Sequence, residues 1–147
     1  MFAQLLRNDI LIAGLTAWAL AQILKVPVYY LITRRLSLGP MFSSGGMPSS
    51  HSALMTATTT AIGLYTGFDT PAFALAVAIT MVVTYDAAGV RRQAGMHAEK
   101  INLMISELLS GHPISDARLK EVLGHTPRQV VVGSMLGIVI ALLLWAL

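Results

Sequence analysis

Apolar residues along this chain fall into four long runs separated by short polar stretches. The runs extend from about Ile10 to Thr33, from His51 to Phe68, from Pro71 to Tyr85 and from Pro127 to Leu147. At about 1.5 Å of rise per residue, the second and third runs are short for a bilayer but workable within a bundle. The pattern predicts an all-α integral membrane helical bundle with about four spanning helices. Lys25 and Pro27 interrupt the first run, so it forms either one helix or two.

A fifth segment, from Gly95 to Ser110, has a different pattern. One helical stripe is mostly apolar, and the opposite side is polar: the stripe contains His97, Ile101, Met104, Ile105 and Leu108, and the polar side contains Glu99, Asn102 and Ser106. This spacing predicts an amphipathic helix at the membrane interface or under the bundle.

Composition agrees with a membrane protein and narrows the classes of function. With 147 residues, 55% of them hydrophobic and 12% charged, the chain is too apolar for an ordinary soluble domain, and we expect a single membrane-embedded domain over residues 1–147. It has no cysteine, no H-E-x-x-H motif and no carboxylate cluster, so we expect no metal site. No basic stripe with interleaved aromatic residues points to nucleic acid.

The distribution of charge predicts an orientation. Arg34 and Arg35 precede the second run, and five basic residues lie between the third and fourth runs: Arg91, Arg92, Lys100, Arg118 and Lys120. The turn between the second and third runs carries only Asp69. The positive-inside rule places both basic loops on the cytoplasmic side of the membrane. We expect this membrane to be the cell (inner) membrane.

Candidate chemistry begins where the second run starts. Pro48-Ser49-Ser50-His51 follows the flexible stretch Ser43-Ser44-Gly45-Gly46. A helix start leaves backbone N–H groups that favour a phosphate, and the hydroxyls of Ser49 and Ser50 could add to them. His51 adds a group that exchanges protons near neutral pH.

A second candidate segment precedes the fourth run. Positions 125, 129, 133, 137 and 141 share one helical face and are His, Gln, Gly, Gly and Ala. Small residues four apart mark a packed face in membrane helices, so His125 and Gln129 should point into the bundle. The same seam is a candidate for assembly into a homo-oligomer.

These motifs resemble those of the type 2 phosphatidic acid phosphatase superfamily, which includes vanadium haloperoxidases. Pro48-Ser49-Ser50-His51 is similar to its P-S-G-H motif, and His125-Thr126-Pro127-Arg128-Gln129-Val130 with Gly133 is similar to H-x-P-x-D-V-x-x-G. Together with the stretch from Gly89 to Gly95, the pattern looks most like the superfamily's small divergent membrane branch.

The resemblance implies a membrane phosphatase that needs no cofactor and passes through phosphohistidine. His125 would attack phosphorus, and His51 would protonate the leaving oxygen and then activate water. Arg91, Arg92 and Lys25, with Ser49 and Ser50, would bind the phosphate. The implied substrate is a lipid phosphate held in the bilayer, such as phosphatidic acid, phosphatidylglycerol phosphate or a prenyl diphosphate.

The chain departs from the superfamily pattern at several positions. Leu119 stands where an arginine is usual, with Arg118 one residue away, and the first motif, K-x6-R-P, is not met after Lys25. Gln129 replaces the acidic residue that steadies the nucleophile, and Asp86 is a candidate for the missing carboxylate.

Two alternatives remain open. His97 follows Arg91 by six residues and is a rival nucleophile. The protein could instead be a non-catalytic membrane protein that binds lipid headgroups or acts as an assembly scaffold, which would not need a histidine pair.

Overall fold

The described part of the chain is made of α-helices. A computed structural model describes residues 2–5, 7–43, 45–108 and 125–147, and no strand occurs in these ranges. The helices are α1 (Phe2–Leu5), α2 (Asp9–Thr33), α3 (Ser50–Thr66), α4 (Pro71–Ala88), α5 (Val90–Leu108) and α6 (Pro127–Trp145), with a 3₁₀ segment (Gly39–Phe42) between α2 and α3. The all-α prediction is confirmed.

Local sequence signals explain where the long helices begin. Four side chains cap helix starts by accepting a hydrogen bond from a backbone N–H in the first turn: Asn8, Ser49, Thr70 and Thr126. Proline occupies the first position of α4 and of α6, where its missing N–H costs nothing. The starts of these helices therefore follow from the sequence.

The first apolar run forms one helix rather than two. α2 continues through Pro27 to Thr33 and ends at Arg34, whose φ is +56°. This result decides between the two alternatives that the sequence left open.

Helix α3 lies at the centre of the bundle and packs against α2, α4 and α6. Its contacts with α2 and α6 are made by alanines that are fully or almost fully buried: Ala53 and Ala57 with Ala17 and Ala21, and Ala61 with Ala13 and Ala141. Because alanine has a short side chain, the helices approach closely. Hydrogen bonds join Ser49 to Gln129, His125 to Ala87 and Lys25 to Ser43. The end of α2, the start of α3, the end of α4 and the start of α6 therefore lie at one end of the bundle.

The predicted glycine seam of α6 packs within the chain. A Cβ atom at Gly133 would collide with the Ser49 carbonyl, and one at Gly137 would collide with Thr56 and the Ala53 carbonyl. The seam is therefore filled by α3, and an assembly of several copies would use another surface. Homo-oligomerisation itself stays a prediction.

Three described helices are long and apolar enough to cross a membrane, namely α2, α4 and α6. α3 has only 17 residues and is enclosed by its neighbours. Because α3 contacts protein rather than lipid over much of its surface, it needs fewer large apolar side chains. Its role as a fourth span stays a prediction.

The predicted amphipathic helix is present as α5. It begins at Val90, five residues earlier than expected, because only Gly89 separates it from α4. Arg91 and Arg92 therefore belong to the first turn of a helix and not to a loop. The apolar stripe of α5 is exposed at Ile101, Met104 and Ile105. The location of this stripe at the membrane interface stays a prediction.

Candidate active site at one end of the bundle

The fold brings His51 and His125 together. His51 lies in the first turn of α3, and His125 lies two residues before α6 begins. Their ring centroids are 6.0 Å apart with an angle of 63° between the ring planes. Two imidazoles that are far apart in the sequence are thus neighbours in the fold.

Backbone hydrogen bonds hold the two histidines in place. The Ser49 N–H donates to the Gln129 carbonyl at 3.1 Å, and the His125 N–H donates to the Ala87 carbonyl at 3.0 Å. The first bond joins the start of α3 to α6, and the second joins the start of α6 to the end of α4. Gly133 makes the first contact possible, since any side chain there would displace the Ser49 backbone.

The surroundings of His125 determine which ring nitrogen carries the proton. The Gln129 Oε1 atom accepts a hydrogen bond from the Thr126 N–H at 2.9 Å, which identifies this atom as the amide oxygen. His125 Nδ1 lies 3.3 Å from the same oxygen. Because the oxygen can only accept, Nδ1 must donate, and the neutral ring then has its lone pair on Nε2.

His125 Nε2 is buried, and although the Gly46 backbone acts on the ring, none of the described residues forms a hydrogen bond of full geometry with Nε2. His125 is only 3% exposed, and Nε2 is buried without a hydrogen-bond partner among the described residues. Buried polar atoms in proteins nearly always have a partner, so an orphaned one in a cluster of polar groups indicates a place for a ligand or a reacting atom.

The pKa of His125 is lowered from its ordinary value. Burial is the main cause, and the nearby charges of His51 and Lys25 act in the same direction, while the hydrogen bond to Gln129 and the Gly46 backbone oppose them. The ring is therefore held neutral at neutral pH, which is the form in which an imidazole is nucleophilic.

Lys25 is a buried basic residue at the same end of the bundle. It is 1% exposed within α2, and its Nζ donates to the Ser43 carbonyl at 2.7 Å. An ammonium group has three N–H donors, so two others remain beyond this bond. Gly46, with φ +90°, turns the loop over the Lys25 side chain. Because the hydrogen bond to Ser43 holds Lys25 to the loop that precedes α3, Lys25 lies at the end of the bundle that contains the two histidines.

The two serines of the motif are both buried. The Ser49 Oγ caps α3 by accepting a hydrogen bond from the Ser52 N–H at 3.3 Å and another from the Ser52 hydroxyl at 3.0 Å. The Ser49 hydroxyl is thus used to shape the helix start. Ser50 follows in the first turn of α3, beside His51.

Comparison of the sequence with known proteins shows the family of this chain. The model of the Divergent PAP2 family matches residues 6–140, which include both histidines and Lys25. The chain belongs to the Divergent PAP2 family. It is also 36% identical over 152 residues to the uncharacterized membrane protein YuiD of Bacillus subtilis (strain 168), with 96% of each chain covered. No solved structure matches.

Membership of the Divergent PAP2 family confirms the resemblance found in the motifs and agrees with an integral membrane protein. It indicates a phosphatase-related role.

The other residues that were considered for the site lie on α4, on α5 or outside the described residues. Asp86 is half-buried in the last turn of α4, next to the Ala87 carbonyl that holds His125. Arg91 and Arg92 follow in the first turn of α5, near the same end of α4, and their side chains are not among those that the structure describes. His97 is exposed on α5. Arg118 and Leu119 lie outside the described residues.

The sequence analysis did not identify two groups that help to shape the candidate site, the Thr126 side chain and the Ser43 carbonyl. Thr126 forms a capping box with Gln129, which fixes the orientation of the Gln129 amide. The spacing of threonine and glutamine three residues apart was a usable signal for this box. The Ser43 carbonyl that accepts from Lys25 had no such signal, because a backbone atom reaches a distant side chain only through the path of the loop.

Proposed function

We propose that this protein is a metal-independent membrane phosphatase that removes the terminal phosphate from a lipid phosphate through a phosphohistidine intermediate. The observation that carries the proposal is the buried Nε2 atom of His125, with its lone pair assigned by Gln129 and with His51 beside it.

The reaction would proceed in two steps. In the first, the Nε2 lone pair of His125 attacks phosphorus, the bond between phosphorus and the lipid oxygen breaks, and His51 gives its proton to that oxygen. In the second, His51 takes a proton from water, the hydroxide attacks phosphorus, and the phosphorus–nitrogen bond breaks. Inorganic phosphate leaves, and both histidines return to their starting states.

Positive charge for the phosphate oxygens would come from several groups. Lys25 has N–H donors to spare beyond its bond to Ser43. The first N–H groups of α3 have no carbonyl in a preceding turn, as at every helix start, and they add partial positive charge. Arg91 and Arg92 are further candidates because their helix begins directly after α4. Such groups are most effective where charge builds on the oxygens in the transition state.

The proposed site faces the cytoplasm at the boundary of the inner membrane. Arg34 and Arg35 follow α2 at the same end of the bundle as the histidine pair, and the positive-inside rule assigns that end to the cytoplasm. A site at a helix end in a membrane suits a substrate whose tail stays in lipid while its phosphate meets the histidines.

Phosphate release by the purified protein tests the proposal. We expect release from lipid phosphates in detergent with EDTA present, loss of turnover to background in His125→Ala, and a fall of about 10²–10⁴-fold in His51→Ala because proton transfer is lost. His97→Ala is the matched control and should retain the wild-type rate, since His97 is exposed on α5. With p-nitrophenyl phosphate, whose leaving group needs no protonation, acid-labile phosphate on His125 should be trapped in His51→Ala, because the second step still requires His51 as a base.

Three results would contradict the proposal in different ways. Turnover that survives in His125→Ala but disappears in His97→Ala would assign the attack to the rival histidine. Activity abolished by EDTA and restored by Mg²⁺ would replace the phosphohistidine route by a metal-dependent one. No release from any lipid phosphate by the wild-type protein would favour the non-catalytic alternative.

A further inference from the structure

An apolar groove lies on the surface of α2 beside the loop that leads to α3. Its volume is about 330 Å³, and it is lined by residues of α2 and of the 3₁₀ segment: Trp18, Ala19, Gln22, Ile23, Met41 and Phe42. No charged side chain and neither histidine is among them. The groove is therefore unsuited to a phosphate group but suited to a hydrocarbon chain.

One residue of the groove is the chain neighbour of a residue at the candidate active site. Phe42 lines the groove, and the next residue, Ser43, accepts the hydrogen bond from Lys25. On α2, Gln22 precedes Lys25 by three residues, a rise of about 4.5 Å along the helix axis. From Gln22 the groove continues toward Trp18, deeper into the candidate span and away from the end that holds the histidines. A lipid with its phosphate at Lys25 would have its tail in this direction.

Gln22 is the feature of the groove that packing does not explain. Its Oε1 atom is buried and has no hydrogen-bond partner among the described residues. An amide in an apolar wall is stable there only when a partner satisfies it, because neither lipid nor alkyl side chains can form the bond. Its position, between Lys25 and the apolar part of the groove, matches the place of the uncharged linker between a lipid's phosphate and its chain.

We infer that this groove binds one hydrocarbon chain of the substrate and that the Gln22 Oε1 atom accepts a hydrogen bond from a hydroxyl group of the linker. The inference rests on the proposed phosphatase function and names its substrate class: lipid phosphates with a free hydroxyl on a glycerol linker, such as lysophosphatidic acid, in preference to prenyl diphosphates, which have no such linker. The volume is at the lower end of the range for ligand pockets and suits a single chain.

Filling the groove tests chain binding. Ala19→Phe places a large side chain in the groove, and Ala78→Phe makes the same change at an exposed position of α4 outside it. With long-chain lysophosphatidic acid, KM should rise about tenfold or more in Ala19→Phe, since several methylene contacts are lost, and stay at the wild-type value in Ala78→Phe. With the chain-free substrate p-nitrophenyl phosphate, both variants should match the wild type. Equal KM values for the lipid in the two variants would overturn the groove assignment.

Replacing the amide tests the linker contact. Gln22→Met keeps the length of the side chain and removes its hydrogen-bonding groups. We expect KM for lysophosphatidic acid to rise about fivefold or more, and KM for a prenyl phosphate of similar chain length to fall or stay the same, because a buried polar group that the prenyl chain left unsatisfied is gone. A similar rise in KM for both substrates would overturn the linker contact.

A binding measurement separates failure of this inference from failure of the proposed function. Lysophosphatidic acid with a photoreactive diazirine on its acyl chain should label peptides that contain residues 18–23 and 41–42, and Ala19→Phe should reduce the labelling while Ala78→Phe does not. Excess unlabelled lysophosphatidic acid should compete, and phosphatidylcholine should not. Competition by phosphatidylcholine, or labelling elsewhere, overturns the inference even if phosphate release is normal. Absence of phosphate release from every substrate instead overturns the proposed function.

Discussion

At the scale of single residues, the reactivity assigned to His125 depends on a neutral neighbour. The superfamily pattern has an acidic residue where this chain has Gln129, and the amide oxygen still accepts from Nδ1. A neutral acceptor fixes the tautomer as a carboxylate would, but it stabilises the charged imidazolium less. Together with burial, this leaves the pKa of His125 below its usual range. The substitution therefore favours a ring that is neutral and ready to attack.

Two substitutions at Gln129 should move the pH profile in opposite directions. The acid limb of kcat/KM requires neutral His125, so it should lie below the ordinary imidazole value of about 6.5. Gln129→Glu adds a negative charge that stabilises the imidazolium, so the acid limb should shift to higher pH. Gln129→Leu removes a hydrogen bond that raises the pKa, so the limb should shift to lower pH. The maximal rate of Gln129→Leu should fall about tenfold or more.

The measurement is phosphate release as a function of pH, with the same lipid phosphate for all three proteins. Shifts of the acid limb in the same direction for both variants would show that His125 is not the group that titrates there.

At the scale of helices, small residues decide how the site is assembled. α3 contacts α2 through alanines and contacts α6 through alanine and glycine. Close approach allows the start of α3 to bond directly to the α6 backbone, as the Ser49 N–H does with the Gln129 carbonyl. The distance between the histidines is thus set by the helix interface.

Gly133→Ala should separate the two histidines. The new Cβ would collide with the Ser49 backbone, which cannot move without breaking its bond to Gln129. We expect a loss of about 1–3 kcal/mol in stability and a marked fall in kcat. Gly39→Ala is the matched control, since a Cβ there meets only the Ser37 hydroxyl at 3.4 Å. Thermal unfolding in detergent and turnover measure both effects, and equal midpoints for the two variants would refute the close approach.

At the scale of the whole molecule, the candidate chemistry is collected at one end of the bundle. The loop after α2, the start of α3, the end of α4 and the start of α6 meet there, and the turn between α3 and α4 lies at the other end. This arrangement requires α3 to run through the full bundle, although it is shorter than the three helices that qualify as spans by length and composition.

Cysteine accessibility tests the orientation and the crossing of α3 together. The chain has no cysteine, so maleimide labelling of a single introduced cysteine has no contribution from other positions of the protein. Asp69→Cys, in the exposed turn between α3 and α4, should react with a membrane-impermeant maleimide in intact cells. Ser37→Cys, in the loop after α2, should react only after the cells are made permeable. Reaction of both positions in intact cells would contradict a crossing by α3, and reversal of the pattern would contradict the cytoplasmic site.

Much of the fold could be predicted because it depends on local patterns. The apolar runs gave four of the helices with ends correct to within a few residues, and the caps at Thr70 and Thr126 mark their starts. The glycine and alanine positions of α6 correctly predicted a packed face that turns His125 and Gln129 inward. Whether Pro27 divides the first helix could not be predicted, since a proline in a membrane helix is tolerated when neighbouring groups compensate for the lost hydrogen bond.

The sequence by itself determined the helices, the membrane class and the two histidine motifs, because hydrophobic periodicity, capping and motif spacing act over a few residues. Only the tertiary structure decided that the two histidines meet, that Lys25 is buried beside them under the Ser43 carbonyl, and that an apolar groove with Gln22 begins one helical turn away. These contacts join residues far apart in the chain, and they depend on how closely α2, α3 and α6 pack. That distance is a property of whole interfaces, which no local pattern specifies.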